Sequence, residues 1–234
     1  MKCIWCHNPE SRSPQIQSIE KELRLDGKIH HSTQTVGKEM TVKEVISEIK
    51  KDIIFYEESG GGVTFSGGEV FLQDKFLILL LSECKKNDIF TCIDTTGYVS
   101  EDVLKQVIPI TDLFLFDIKL MDVKEHEKYC GVSNKQILKN FKTIYESESD
   151  IRLRFPVIPG ITDTEHNTKA LAEFASGFEN LQMDMIPYHS TGRDKYRRLG
   201  MDYFMEDIQQ PTEERMKELE LFFKNHGIRV RIGG

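Results

Sequence analysis

Short apolar runs alternate with amphipathic stretches along this chain, and that alternation restricts its fold more than any other feature. VTF (63–65), IFTCID (89–94), LFLFDIK (113–119), IRLRFPVI (151–158), LQMDMIPY (181–188) and IRVRI (228–232) are brief and rich in branched or aromatic residues, as buried strands are. Helical patterns separate them at 71–87, 100–107, 122–130, 134–147, 164–178 and 211–226. Upstream, 41–59 places Val42, Val45, Ile46, Ile49 and Ile53 at helical spacing behind Thr41, with Glu44 three residues on in the capping-box pattern. Strands joined by helices of this length pair in parallel through crossover connections, so the expected class is α/β. Residues 11–40 are polar and irregular, and are read as a surface loop or hairpin inserted in a single domain spanning 1–234.

In parallel α/β folds the active site gathers where strands end. Ser66-Gly67-Gly68-Glu69 follows VTF, Asp94-Thr95-Thr96-Gly97 follows FTCI, LFLF runs into Asp117 and Lys119, and Tyr188-His189 follows MIP. Glycine, carboxylate, lysine and histidine at four strand ends predict one composite pocket. Each piece alone has a plainer explanation. SGGE reads as a glycine turn with a solvated glutamate, Asp117 and Lys119 as an exposed ion pair, and His189 as a hydrogen-bonded structural residue.

Cys3 and Cys6 stand two residues apart at the amino end, in CIWC. That spacing alone leaves three readings open. A redox dithiol needs a preceding strand to present its first thiol, structural zinc needs two further ligands, and an iron–sulfur site needs more thiolates. The other cysteines, Cys84, Cys92 and Cys130, are single and read as small buried hydrophobes. No paired ladder of cysteines and no leader pattern is evident, which implies reduced thiols and a cytoplasmic setting.

The formal charge of −7 over 234 residues argues against a general nucleic-acid binder, which needs a basic face. The longest apolar run, FLILLL at 76–81, falls well short of the roughly 20 residues that span a bilayer, so no membrane partner is expected. Basic residues concentrate in GRDKYRR at 192–198, either a solvated helix start or a contact for a protein substrate.

Taken together, CIWCHNPE, GGGVTFSGGE, DTTGY, DLFLFDIK, VIPGITD and IPYHSTGRDKY resemble, in order and across nearly the whole chain, the radical S-adenosylmethionine enzymes. Among these they resemble the activating enzymes of glycyl radical enzymes, of the pyruvate formate-lyase activase type. The resemblance implies a partial, open (βα)6 TIM-like barrel whose first strand is missing here. It also implies one 4Fe-4S cluster held by a CxxxCxxC motif, in which Cys3 and Cys6 match the second and third cysteines and the first would precede Met1. Met1 is accordingly expected to be an internal methionine. The ferredoxin-like domain that many relatives insert after this motif is expected to be absent, since 11–40 carries no cysteine.

The same resemblance implies that S-adenosylmethionine binds through Gly67, Gly68 and Glu69, with the glycines letting the backbone approach its amino group. Val70 stands where the family usually has proline. Asp94 and Asp117 are implied near the ribose and amino group, with a monovalent cation, Lys119 at the carboxylate, and His189 near adenine and ribose. Trp5, His7 and Asn8 flank the cluster, and for Trp5 core packing explains the residue nearly as well. The implied partners are a glycyl radical enzyme as protein substrate and flavodoxin or ferredoxin as electron donor. No general base is expected, because a carbon radical abstracts hydrogen without one.

Overall fold

The computed structural model describes residues 1–233, with side chains described outside 19–25. Among them, eight strands form: β1 (Gln17–Leu25), β2 (Lys28–Val36), β3 (Gly62–Phe65), β4 (Phe90–Thr95), β5 (Leu113–Asp117), β6 (Asp150–Val157), β7 (Gln182–Pro187) and β8 (Arg229–Ile232). The helices are α1 (Val42–Ile49), α2 (Ile53–Ser59), α3 (Asp74–Lys86), α4 (Glu101–Val107), α5 (Val123–Cys130), α6 (Lys135–Glu146), α7 (Glu165–Ala175), α8 (Arg193–Arg198) and α9 (Glu213–Asn225). Strands β3 to β8 make one six-stranded sheet in sequence order with every neighbour parallel, the expected α/β class.

Register explains how this sheet carries both a core and a site. Asp94 lies opposite Leu115, and Asp117 opposite Arg154. Because side chains alternate faces along a strand, these charges share one surface while Ile93, Phe114, Phe116, Leu153 and Phe155 share the other, fully buried under the helices. Phe116 meets Phe141 of α6 edge-on at 5.3 Å, and Phe155 meets Phe223 of α9 at 5.7 Å. Each such ring, removed from water, stabilises the fold by about 2–3 kcal/mol before cavity effects.

Helix starts follow their caps. Thr41 and Glu44 form the capping box, and Asp122, Thr164 and Thr212 each accept the backbone N–H three residues on. The stretch 41–59 is two helices rather than one: the buried stripe ends at Ile49, a 3-10 turn covers Lys50–Asp52, and Ile54 and Phe55 of α2 are exposed. Likewise α3 begins at Asp74, because Val70–Gln73 forms a 3-10 turn capped by Glu69. Residues 17–36 are an antiparallel hairpin turning at Asp26-Gly27, both with positive φ. No described helix is long and apolar enough to cross a membrane.

Candidate functional site

Residues 1–8 lie across the carboxyl edge of the sheet. Lys2 N–H donates to Cys130 O (2.9 Å) and Ile4 N–H to Tyr129 O (3.0 Å), so the segment is pinned along the end of α5. Cys6 N–H then donates to Cys3 O (3.2 Å), closing a turn that turns both thiols toward one cleft. Arg12 holds the turn from behind, donating to Cys3 O (2.5 Å) and Tyr196 Oη (2.8 Å). Cys3 sits beside Cys130, whose thiol hydrogen-bonds to it. That bond, helped by the Lys119 charge and opposed by burial, lowers the Cys3 thiol from 9.0 to about 7. Cys130 is pushed up in turn. A thiol already biased toward thiolate is suited to ligating iron.

Opposite the thiols, the strand ends present charge. Arg154 bridges two carboxylates, Nη2 to Asp94 Oδ1 and Nε to Asp117 Oδ1, each at 2.8 Å. Lys119 Nζ meets Asp117 Oδ2 at 2.8 Å, and Ser66 Oγ donates to Asp94 Oδ2 at 2.9 Å. Burial would raise Asp117, but Lys119 and Arg154 outweigh it and hold the carboxyl low. Asp94, half-buried and facing Asp117, is raised by desolvation and that neighbour despite Arg154. Lys119 is raised because Asp117 and Cys3 overcome its burial.

The cleft between these two sets has a volume near 280 Å³. Trp5, His7, Asn8, Gly67, Gly68, Glu69, Asp94, Asp117 and Lys119 all line it with Cys3 and Cys6, so nearly every residue singled out from the sequence converges there. Several do so differently from expectation. A Cβ on Gly68 would fall 2.4 Å from Ser11 O, so this glycine admits the thiol-bearing loop itself. Both Glu69 oxygens are engaged, by Thr95 Oγ1 (2.6 Å) and by Thr96 N–H (3.0 Å) and Oγ1 (2.5 Å), making it a tie between β3 and β4. The cation lying between Asp94 and Asp117 is the Arg154 guanidinium. His189 flanks the cleft rather than lining it: its carbonyl meets His7 Nε2 at 2.8 Å and its Nδ1 pairs with Thr191. Burial, then the neighbouring His189, lowers the His7 pKa. Trp5 packs at 6.4 Å from Tyr129 while one edge faces the cleft.

Sequence reasoning passed over Arg154, Arg12 and the contact made by Cys130. For Arg154 a signal existed: in IRLRF the arginines alternate with apolar residues, which puts them on the polar face of a strand beside Asp-x-Lys. Cys130 is buried as expected of a packing residue, yet what it packs against is Cys3. GRDKYRR is not merely solvated, since Tyr196 is buried and Lys195 reaches Asn8 and Glu10.

The cluster and cofactor can be tested against these groups. Two thiols, one with thiolate character, fit as iron ligands. Among the described residues no set of three or more His, Cys, Asp or Glu is gathered for a metal. Arg12 Nε, buried in the cleft wall without a partner among the described residues, and the Lys119–Asp117–Arg154 array match a ligand carrying both carboxylate and amino groups.

An open parallel sheet with a charged, thiol-bearing cleft at its carboxyl edge defines an α/β-barrel enzyme that works through a bound cofactor. The family model for the radical SAM superfamily matches residues 1–172, and the chain belongs to that superfamily. It is 35% identical to the trans-4-hydroxy-L-proline dehydratase activating enzyme of Clostridioides difficile, across 100% of this chain and 90% of that one. It is 30% identical to the pyruvate formate-lyase 1-activating enzyme of Escherichia coli K12, across 98% and 87%. A solved domain of a pyruvate-formate lyase-activating enzyme from Bacteroides vulgatus superposes with TM-score 0.63 at 31% identity, covering 74% of this chain and 99% of that one.

Proposed function

We propose that this chain activates a glycyl radical enzyme. A reduced 4Fe-4S cluster and S-adenosylmethionine bound here would supply one-electron reductive cleavage of the sulfonium, the radical chemistry that removes a Cα hydrogen from one glycine of the partner. What this chain contributes is placement. Cys3 and Cys6 would hold iron, Lys119 and Arg154 would take the carboxylate of S-adenosylmethionine, and Asp94 and Asp117 its amino group and ribose. Trp5 and Tyr188 wall the cleft against water, and no side chain is needed as a proton acceptor.

The observation that carries this reading is the meeting of the thiol pair and the Asp94–Arg154–Asp117–Lys119 array across one cleft. Activating enzymes of a lyase and of a dehydratase, both at 30% identity or more over nearly the whole chain, support the reaction class. Flavodoxin or ferredoxin supplies the electron in this proposal. Five free cysteines support a reducing, cytoplasmic setting.

Anaerobic reconstitution with iron and sulfide tests it. Under dithionite, the protein is expected to release 5′-deoxyadenosine from S-adenosylmethionine and to raise a glycyl radical signal on pyruvate formate-lyase or hydroxyproline dehydratase. Cofactor cleavage with no radical on any glycyl radical enzyme would move the chain to another substrate. Failure to take up iron would leave a cofactor- or partner-binding fragment.

A further inference from the structure

The proposed function uses the Cys3 thiol and leaves unused the thiol packed behind it. Lys2 N–H donates to Cys130 O (2.9 Å) and Ile4 N–H to Tyr129 O (3.0 Å), so two backbone bonds bracket Cys3 and hold it against the last turn of α5. Cys130 is the final residue of that helix. Gly131 after it turns left-handed at φ 79°, where a Cβ would lie 3.6 Å from Lys2 Cβ. Main chain therefore fixes both sides of the contact. The two cysteines share one buried apolar cluster with Trp5, Leu120 and Tyr188, and the Cys130 thiol hydrogen-bonds to that of Cys3. Cys6 is half-buried and stands outside this cluster.

Access differs between the pair. Cys3 is 9% exposed and lines the cleft, whereas Cys130 is fully buried. A small oxidant entering the cleft meets Cys3 first, and Cys130 lies directly behind it. An accessible thiol backed by a sheltered one is the arrangement that traps an oxidised cysteine as a disulfide before it oxidises further.

We propose that Cys3 and Cys130 form a reversible disulfide in the metal-free protein, with Cys130 as the resolving thiol; that Cys3 is an iron ligand rests on the function proposed above. The oxidant is hydrogen peroxide. It converts the Cys3 thiol to a sulfenic acid and leaves as water. The Cys130 sulfur then attacks that sulfur, forming the S–S bond and releasing a second water. In all, two thiols give up two electrons and two protons, and one peroxide is reduced. A dithiol such as reduced thioredoxin or dithiothreitol returns both thiols and is itself oxidised to a disulfide. A disulfide tolerates little error in the placement of its two Cα atoms, and here main-chain bonds set both. While it lasts, the bridge keeps Cys3 from binding iron and also from reaching sulfinic acid, from which a dithiol does not recover a ligand.

Peptide mapping of the full metal-free chain tests this. Reduced protein is treated with one equivalent of peroxide, alkylated, and digested with trypsin without reduction. Cleavage after Lys2, Arg12, Lys128 and Lys135 puts Cys3 and Cys6 in one peptide, 3–12, and Cys130 in another, 129–135. The expected product is these two peptides joined and lighter by two hydrogens, in wild type and in C6S alike, with three of the five free thiols left to alkylate in wild type. Dithiothreitol is expected to separate them. In C6S/C130S, which lacks both neighbouring thiols, Cys3 is expected to pass to sulfinic acid under the same treatment, while in C6S it does not. Wild type and C6S carry the decision without altering the buried residue, so misfolding of the double variant cannot imitate the linkage. A bond confined to peptide 3–12, joining Cys3 to Cys6, would overturn the proposal. So would recovery of Cys130 fully alkylated, which would make it a packing residue only. The map needs no iron: failure of the untreated protein to take up iron would overturn the function proposed above, and the bridge would still stand or fall on the peptides.

Discussion

Arg154 holds Asp94 and Asp117 together with one guanidinium, 2.8 Å from each, although β6, which carries it, is two strands away from β4. Side chains there are only about one-fifth exposed, so the three charges depend on one another. Arg154→Leu is expected to cost about 3 kcal/mol at neutral pH, toward the lower end for a broken buried pair because Lys119 still meets Asp117. Asp117 lies below its ordinary 3.8 in the wild type, so its contribution is present above that value and lost as pH falls. Without Arg154 both carboxyls move up, which reverses the sign: the variant's deficit shrinks as pH drops from about 7 to about 5. Urea unfolding at the two values checks this, and an unchanged deficit would refute it.

Cys130 beside Cys3 makes a second, separate prediction for the metal-free protein. Ultraviolet thiolate absorbance is expected to titrate for Cys3 near 7 rather than 9.0, and to move upward in Cys130→Ala, since the Cys130 hydrogen bond is the largest cause of the shift. A lowered thiol pKa stabilises the fold at pH above the unfolded value, and this stabilisation is lost as pH falls through about 7. Cys130→Ser is expected to retain part of the shift.

These two relationships mark where sequence stopped being legible. The six parallel strands and most helix starts could be read, because strand composition, periodicity and caps act over a few neighbouring residues. That strand ends would gather one cleft could be read for the same reason: Asp94, Asp117 and Lys119 line it because each follows directly from where a strand stops. What could not be read depends on contacts between distant positions. Arg154 becomes a site residue only through the register pairing β6 with β5, Cys130 only by the backbone bonds from Lys2 and Ile4, and α8 only by resting on residues 6–12. Glu69 shows the converse case, a residue placed correctly in the cleft whose carboxylate is spent on Thr95 and Thr96.

Gly68 separates close approach from backbone conformation. Gly68→Ala is expected to cost about 1–3 kcal/mol, since its Cβ would meet the Ser11 backbone rather than a flexible side-chain tip. Gly60→Ala is the comparison: φ is 63° in open space, so only the left-handed strain of about 1 kcal/mol applies. Iron content after reconstitution should fall in Gly68→Ala, where the thiol loop is displaced, and remain at wild-type level in Gly60→Ala.

Asn167 positions Lys119 from beneath. Its amide donates to Lys119 O (3.0 Å) and Thr162 O (2.8 Å) and accepts from Met121 N–H (2.8 Å), all from a side chain 1% exposed. Asn167→Ala strands three buried backbone groups and is expected to cost about 3 kcal/mol. It should also raise KM for S-adenosylmethionine more than it lowers kcat, because the loss is of placement at a binding group. Asn167→Asp keeps the partner of Met121 N–H but sets a carboxylate oxygen against two carbonyls, so near neutral pH it should be worse than the alanine variant. Lowering the pH protonates that carboxyl, which then donates to one carbonyl. A buried acid of this kind has a raised pKa, so stability is greatest at low pH and is lost as pH rises. Unfolding midpoints for the two variants should therefore cross as pH is lowered, and parallel curves would show that Asn167 fills space without ordering the Lys119 loop.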